Sequence, residues 1–314
     1  MPIPNSPDTE IVLSLGDLRL KVSPYGASLR GLWRETAVGE REHIVTGYTG
    51  AKGKVGGQGD VLVPFPGRVR DGIYPFENQT YQMERSDKDG PNAIHGFLRL
   101  VLWEIVEQTE TEIAFAAALA SDAHPGYPFA LQATVRYMLA SSGMTCQFSV
   151  TNTGNQSAPV AAGFHPYFTV GSTQIDENML QVPFSSTLEF DAGLLPTGKV
   201  LPVEGTAIDF REPRPIGDTA FNTCFLNPIR DRDGRLQIRL SSSESGKSLA
   251  VWLDEAFNYV VLYSGDPLPP THRRRALAIE PMTCGSDAFN HAEWGLRVLA
   301  PGEVFTGRWG VTEG

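Results

Sequence analysis

The stretch that decides the fold runs from Leu131 to Val150. Leu131, Ala133, Val135 and Tyr137 alternate with Gln132, Thr134, Arg136 and Met138; the turn Ala140-Ser141-Ser142-Gly143 follows, and then Thr145-Cys146-Gln147-Phe148-Ser149-Val150. Apolar side chains at every second position suit a strand, because successive side chains point to opposite faces of a sheet. Two such runs about a tight polar turn predict a hairpin. The same pattern recurs outward. Leu18, Leu20 and Val22 alternate with Arg19, Lys21 and Ser23, and a second hairpin is expected from Leu236-Gln237-Ile238-Arg239-Leu240 through Ser245-Gly246-Lys247 to Leu249-Ala250-Val251-Trp252-Leu253. No segment of about a dozen residues gives an apolar stripe at helical spacing. The 32 glycines and 23 prolines are spread throughout, where they make turns. The expectation is an all-β protein, built as a large antiparallel β-sandwich of two sheets packed face to face. No linker or short repeat interrupts it, so residues 1–314 are expected to form a single domain.

Composition narrows the function. Of 314 residues, 41% are apolar and 20% charged, enough for a sizeable core without disulfide or metal staples. The net charge of -10 argues against nucleic acid, which calls for a basic footprint. The dense basic run His272-Arg273-Arg274-Arg275 reads either as a solvated loop or as a local anion site near a ligand. Cys146, Cys224 and Cys284 are odd in number and widely spaced, which favours free thiols in a reducing cytoplasm. The N-terminus lacks a signal-peptide pattern, and no run of about 18 apolar residues spans a membrane. A monomer or homodimer is expected.

Three histidines sit among glycine, proline and aromatic residues: Asn92-Ala93-Ile94-His95-Gly96-Phe97, His124-Pro125-Gly126-Tyr127-Pro128 and Gly163-Phe164-His165-Pro166-Tyr167-Phe168. A carboxylate ends an apolar run, Ala276-Leu277-Ala278-Ile279-Glu280-Pro281. Such a carboxyl is partly desolvated, which raises its pKa towards the range useful to a general base. A paired base and acid can act on a hemiacetal. Taking the proton from the anomeric hydroxyl while protonating the ring oxygen breaks the C1–O5 bond, and the open-chain aldehyde rotates and recloses on its other face. No redox cofactor is needed, and histidine suits the acid role through its unperturbed pKa of about 6.5.

Six segments, in order, resemble the aldose 1-epimerases (galactose mutarotases and relatives). They are Pro66-Gly67-Arg68-Val69-Arg70-Asp71-Gly72, Ala93-Ile94-His95-Gly96, Gly126-Tyr127-Pro128-Phe129, Asn152-Thr153-Gly154 leading to His165-Pro166-Tyr167-Phe168, Ala278-Ile279-Glu280-Pro281 with Asp287-Ala288-Phe289-Asn290, and Leu299-Ala300-Pro301-Gly302-Glu303. The resemblance implies a galactose mutarotase-like supersandwich with a cleft over one sheet, no metal and no cofactor. It also implies roles: Glu280 as base on the C1 hydroxyl, His165 as acid at the ring oxygen, His95 assisting there, Arg68 on sugar hydroxyls, Tyr167 bordering the pocket. On this reading the rate falls at acid pH as the base carboxyl protonates. Two positions depart from the family pattern. Gly67 stands where the family usually has Asn. Asn222, in Asn222-Thr223-Cys224-Phe225, stands where it usually has a substrate-binding Asp, which puts galactose preference in doubt.

The expected function is therefore aldose 1-epimerase (mutarotase) activity on a hexopyranose. The alternatives are a mutarotase for a phosphorylated or otherwise anionic sugar, for which Arg68, Arg70 and Arg273–Arg275 speak, and a non-catalytic carbohydrate-binding protein on the same fold. A glycoside hydrolase needs a second carboxylate, and a metalloenzyme would use His95, His165 and Glu280 as ligands. Trp33 or Trp252 is a candidate to stack on a sugar ring.

Overall fold

A computed structural model describes residues 6–314. Among them the helical content is four single-turn 3₁₀ segments, and the rest of the regular structure is strand. Both expected hairpins form. Leu131–Ala140 pairs antiparallel with Gly143–Asn152, closing at Ala140 opposite Gly143. Leu236–Ser241 pairs with Ser248–Leu253. In the first hairpin the odd-numbered side chains from Leu131 to Leu139 are buried and the even-numbered ones only half-buried, as the alternation requires.

Most of the strands form two large antiparallel sheets, and three two-stranded pairs complete the set among the described residues. The smaller, nine-stranded sheet is built around Leu131–Ala140, Gly143–Asn152 and Val304–Glu313. The larger, twelve-stranded sheet begins with the meander Ile11–Leu15, Leu18–Ser23, Ser28–Glu35 and Arg41–Thr46. It continues through Tyr167–Phe168, Leu277–Met282, Tyr259–Tyr263 and Asn222–Pro228. One apolar cluster joins the facing surfaces, with Leu20, Val22 and Leu32 from the larger sheet and Val135, Phe148, Val251 and Val311 from the smaller. Most of the folding free energy comes from burial of this kind, at roughly 25 cal/mol per Å² of apolar surface.

The strand that matters for function, Leu277–Met282, is buried at every position. Leu277 and Ile279 enter the inter-sheet core, whereas Ala278 and Met282 join smaller apolar clusters on the other face. A strand covered on both faces needs no polar alternation. Its one ionisable residue, Glu280, is therefore forced out of water on the cleft-side face.

Candidate active site

His165 falls in a break between two short strands, Gly163–Phe164 and Tyr167–Phe168, both paired antiparallel to Leu277–Met282. Gly163 pairs with Met282 and Tyr167 with Ala278, so the register sets His165 directly across from Glu280. Cross-strand neighbours share a face of the sheet. The imidazole Nε2 lies 3.4 Å from Oε1 of Glu280. Inside the break the backbone of His165 turns to another segment: its N–H donates to the Asp60 carbonyl at 3.0 Å, and its carbonyl accepts from Gly59 N–H at 2.9 Å.

The imidazole of His165 is walled in. Tyr167 stacks against it with ring centroids 5.3 Å apart, and the Tyr167 hydroxyl donates to the Gly56 carbonyl at 2.6 Å. Gly57, at φ +74°, leaves so little room that a Cβ there would lie 2.8 Å from Cδ2 of His165. His95 meets His165 edge-on at 5.7 Å between centroids. Its own backbone is left-handed, at φ 62°, a conformation uncommon outside glycine and concentrated at functional sites. A reciprocal link to Gly67 holds it: His95 N–H donates to the Gly67 carbonyl at 2.9 Å, and Gly67 N–H donates to His95 Nδ1 at 3.2 Å. With Nδ1 accepting, the proton of the neutral ring sits on Nε2, making His95 a donor on its free side.

Burial dominates the electrostatics. It pushes Glu280 well above the ordinary carboxyl value, against the pull of the Arg68 guanidinium. It pushes His165 from 6.5 down to about 3, aided by the Arg99 and Lys54 charges. His95 is also driven well below the ordinary value, by burial and then by the neighbouring His165 and Arg99. Both histidines are therefore neutral near pH 7, and a proton held by the Glu280–His165 pair rests on the carboxyl. Ring opening with Glu280 as base and His165 as acid calls for an ionised carboxylate and an imidazolium. Desolvation favours the opposite arrangement, because it penalises the charged form of each group.

Glu280, His165 and His95 line a cleft of about 370 Å³, together with Arg68, Asn222, Tyr263, Phe190 and Ser286. That is within the roughly 300–1,000 Å³ of small-molecule sites. Arg68 reaches it with Nε held by Asp87 at 2.7 Å. Asn222 opens the strand Asn222–Pro228 at the exposed rim. Tyr167 does not border the cleft as expected: it is buried behind His165 with its hydroxyl already spent on Gly56, so it orients the imidazole instead. None of Arg273, Arg274 and Arg275 is among the residues that line the cleft. Arg274 is bound by Asp176 and Asp266, and Arg275 donates to the Thr173 carbonyl. Arg70 lies by Asp191 and Asp287. Trp33 is covered by Arg41, and Trp252 lies on the smaller sheet opposite Gly310; the aromatic rings at the cleft are Tyr263 and Phe190. Sequence reasoning missed Arg99, Asp87 and Ser286. Arg99 follows His95 by one short turn, but nothing local separates it from a surface arginine.

A sequence profile described as Aldose 1-epimerase matches residues 9–312, nearly the whole chain. The chain belongs to the aldose 1-epimerase family. It is 25% identical over 317 residues to the galactose mutarotase of Sus scrofa, covering 93% of this chain and 90% of that protein. It is 29% identical over 281 residues to the Escherichia coli (strain K12) protein called Uncharacterized protein YihR, covering 89% and 85%. The crystal structure of a GalM/aldose epimerase homologue from C. elegans superimposes with a TM-score of 0.87 at 20% identity, covering 98% of each chain. As an aldose 1-epimerase-family fold, the larger sheet here carries the cleft, and Gly67 and Ser286 occupy adjoining space within it. A Cβ at Gly67 would lie 2.9 Å from the Ser286 hydroxyl, which in turn accepts the Arg68 N–H at 3.3 Å.

Proposed function

We propose that this chain interconverts the α and β anomers of a hexopyranose by acid–base ring opening and closure. The observation that carries the reading is the pairing of Glu280 with His165 across two strands at the cleft floor, 3.4 Å apart, with the His95 ring beside them. Opening needs a carboxylate at the C1 hydroxyl and a proton donor at the ring oxygen. The pair holds one proton in two tautomers. With carboxylate and imidazolium, Glu280 takes the O1 proton while His165 protonates O5, and the C1–O5 bond breaks. This leaves a protonated carboxyl and a neutral imidazole, the tautomer that burial favours. That tautomer is set to reclose the aldehyde by the reverse transfers. His95 Nε2–H donates on the ring-oxygen side. Arg68, Asn222 and Ser286 meet the remaining hydroxyls.

The test is anomer exchange at equilibrium, followed by NMR on glucose and galactose. The expected result is exchange well above buffer, and its loss by about 100-fold or more in Glu280→Gln, the scale of a missing general base. A wild-type protein that binds sugar but leaves the exchange rate at the buffer value makes this a carbohydrate-binding protein instead.

A further inference from the structure

The cleft has an excess of positive charge at one end. Asp60 is completely buried and holds two cations, Lys54 at 2.6 Å and Arg99 at 3.2 Å. One carboxylate carries a single negative charge and cannot neutralise both. Arg68 is matched by Asp87, so it does not share this excess. Arg99 lines the cleft, and one Nη1–H is its bond to Asp60; its buried Nε has no partner among the described residues. A guanidinium has five donors in a planar fork suited to carboxylate or phosphate oxygens. An unpaired buried donor and a net positive charge are costly to keep in a protein interior, and in a chain of net charge -10 they mark a local feature.

The position of this charge matters. The Asp60 carbonyl accepts the His165 N–H, and Arg99 stands one 3₁₀ turn beyond His95. Lys54 and Arg99 bear on both histidines, and Arg68 bears on His95 and on Glu280, so only the two cations held by Asp60 are confined to the histidines. The surplus therefore sits at the histidines, on the segment whose Asp60 carbonyl holds the His165 backbone. In a pyranose, O5 joins C1 to C5, and C5 carries C6. With Glu280 at the C1 hydroxyl and the histidines at O5, the group just beyond the histidines is the C6 substituent.

We infer that the substrate is a hexose bearing an anionic group on C6, with Arg99, backed by Lys54, as the anion's partner. The inference rests on the mutarotase reading. The shared ligand chemistry is a planar or tetrahedral oxyanion, and a C6 carboxylate and a C6 phosphate ester both provide it. The experiment measures exchange of D-glucose, D-glucuronate and D-glucose 6-phosphate by NMR with the wild type, Arg99→Gln and Arg99→Lys. One of the two anionic sugars is expected to exceed glucose in kcat/KM by about tenfold or more, the scale of one charge-assisted hydrogen bond. The anionic-to-neutral ratio falls by a similar factor in Arg99→Gln and is largely kept in Arg99→Lys. The identity of the faster sugar separates carboxylate from phosphate. Equal rates on all three sugars, or a preference that Arg99→Gln leaves intact, overturn the anion subsite and leave the mutarotase reading standing. Exchange at the buffer rate for every sugar overturns that reading, and the subsite with it.

Discussion

Replacing His165 with Asn changes how stability responds to acid. The folded imidazole is buried beside Glu280 and His95, with the Arg99 and Lys54 charges nearby, and its pKa falls from 6.5 to about 3. A depressed folded value means that the unfolded chain binds the proton first. The stability due to neutral His165 is thus fully present above pH 6.5 and is lost as pH falls through the window down to about 3. The loss approaches about 1.4 kcal/mol per pH unit within the window. Between about pH 7.5 and about pH 5 it amounts to about 2 kcal/mol. This figure depends almost wholly on the unfolded value, because both pH values lie well above the folded one. The assay is urea unfolding of wild type and His165→Asn at both pH values. Groups remote from the pair contribute to each protein alike, so the difference between the two losses reports position 165 together with its coupling to Glu280. The wild type is expected to lose about 2 kcal/mol more than the variant. Parallel losses mean that the native imidazole takes up its proton as readily as the unfolded one, and then the assignment of the resting proton to Glu280 is wrong.

The other predictions follow from the same dry site. If the active pair carries one proton, kcat/KM falls at alkaline pH as that proton leaves Glu280, and the acid loss expected from the carboxyl alone is displaced downward; a rate that climbs steadily to about pH 10, near the reference range of lysine and tyrosine, shows that a bare carboxylate suffices. The raised folded pKa of Glu280 also means that stability declines as pH rises above its ordinary 4.5, so Glu280→Gln, though inactive, has a higher urea midpoint than wild type near about pH 8; equal midpoints count against a desolvated carboxyl. Gly57→Ala places a Cβ against the His165 ring at positive φ. It is expected to cost about 1 kcal/mol of stability and to lower kcat by about tenfold or more through a displaced imidazole; an unchanged kcat removes the wall from the catalytic account.

Several features were legible in the chain itself. Alternation at Leu131–Tyr137 and Leu236–Leu253 marks strands because side-chain direction in a strand is a local property, and both hairpins form in the expected pairing. The apolar run Ala276-Leu277-Ala278-Ile279 foretells a desolvated Glu280, since a strand without polar alternation has to be covered on both faces. The histidine motifs were visible as unusual local composition.

Tertiary structure decided the rest. That His165 stands across from Glu280 is a matter of register between strands far apart in sequence, and no local pattern sets it. The same register turns Tyr167 to the back of the imidazole, where its hydroxyl meets Gly56 instead of a sugar. Arg99 becomes notable only because Asp60, buried beneath it, must also hold Lys54. The resting proton likewise follows from burial contributed by many segments at once. A sequence fixes which groups can titrate, whereas the packed surroundings fix which of their charged forms water no longer supports.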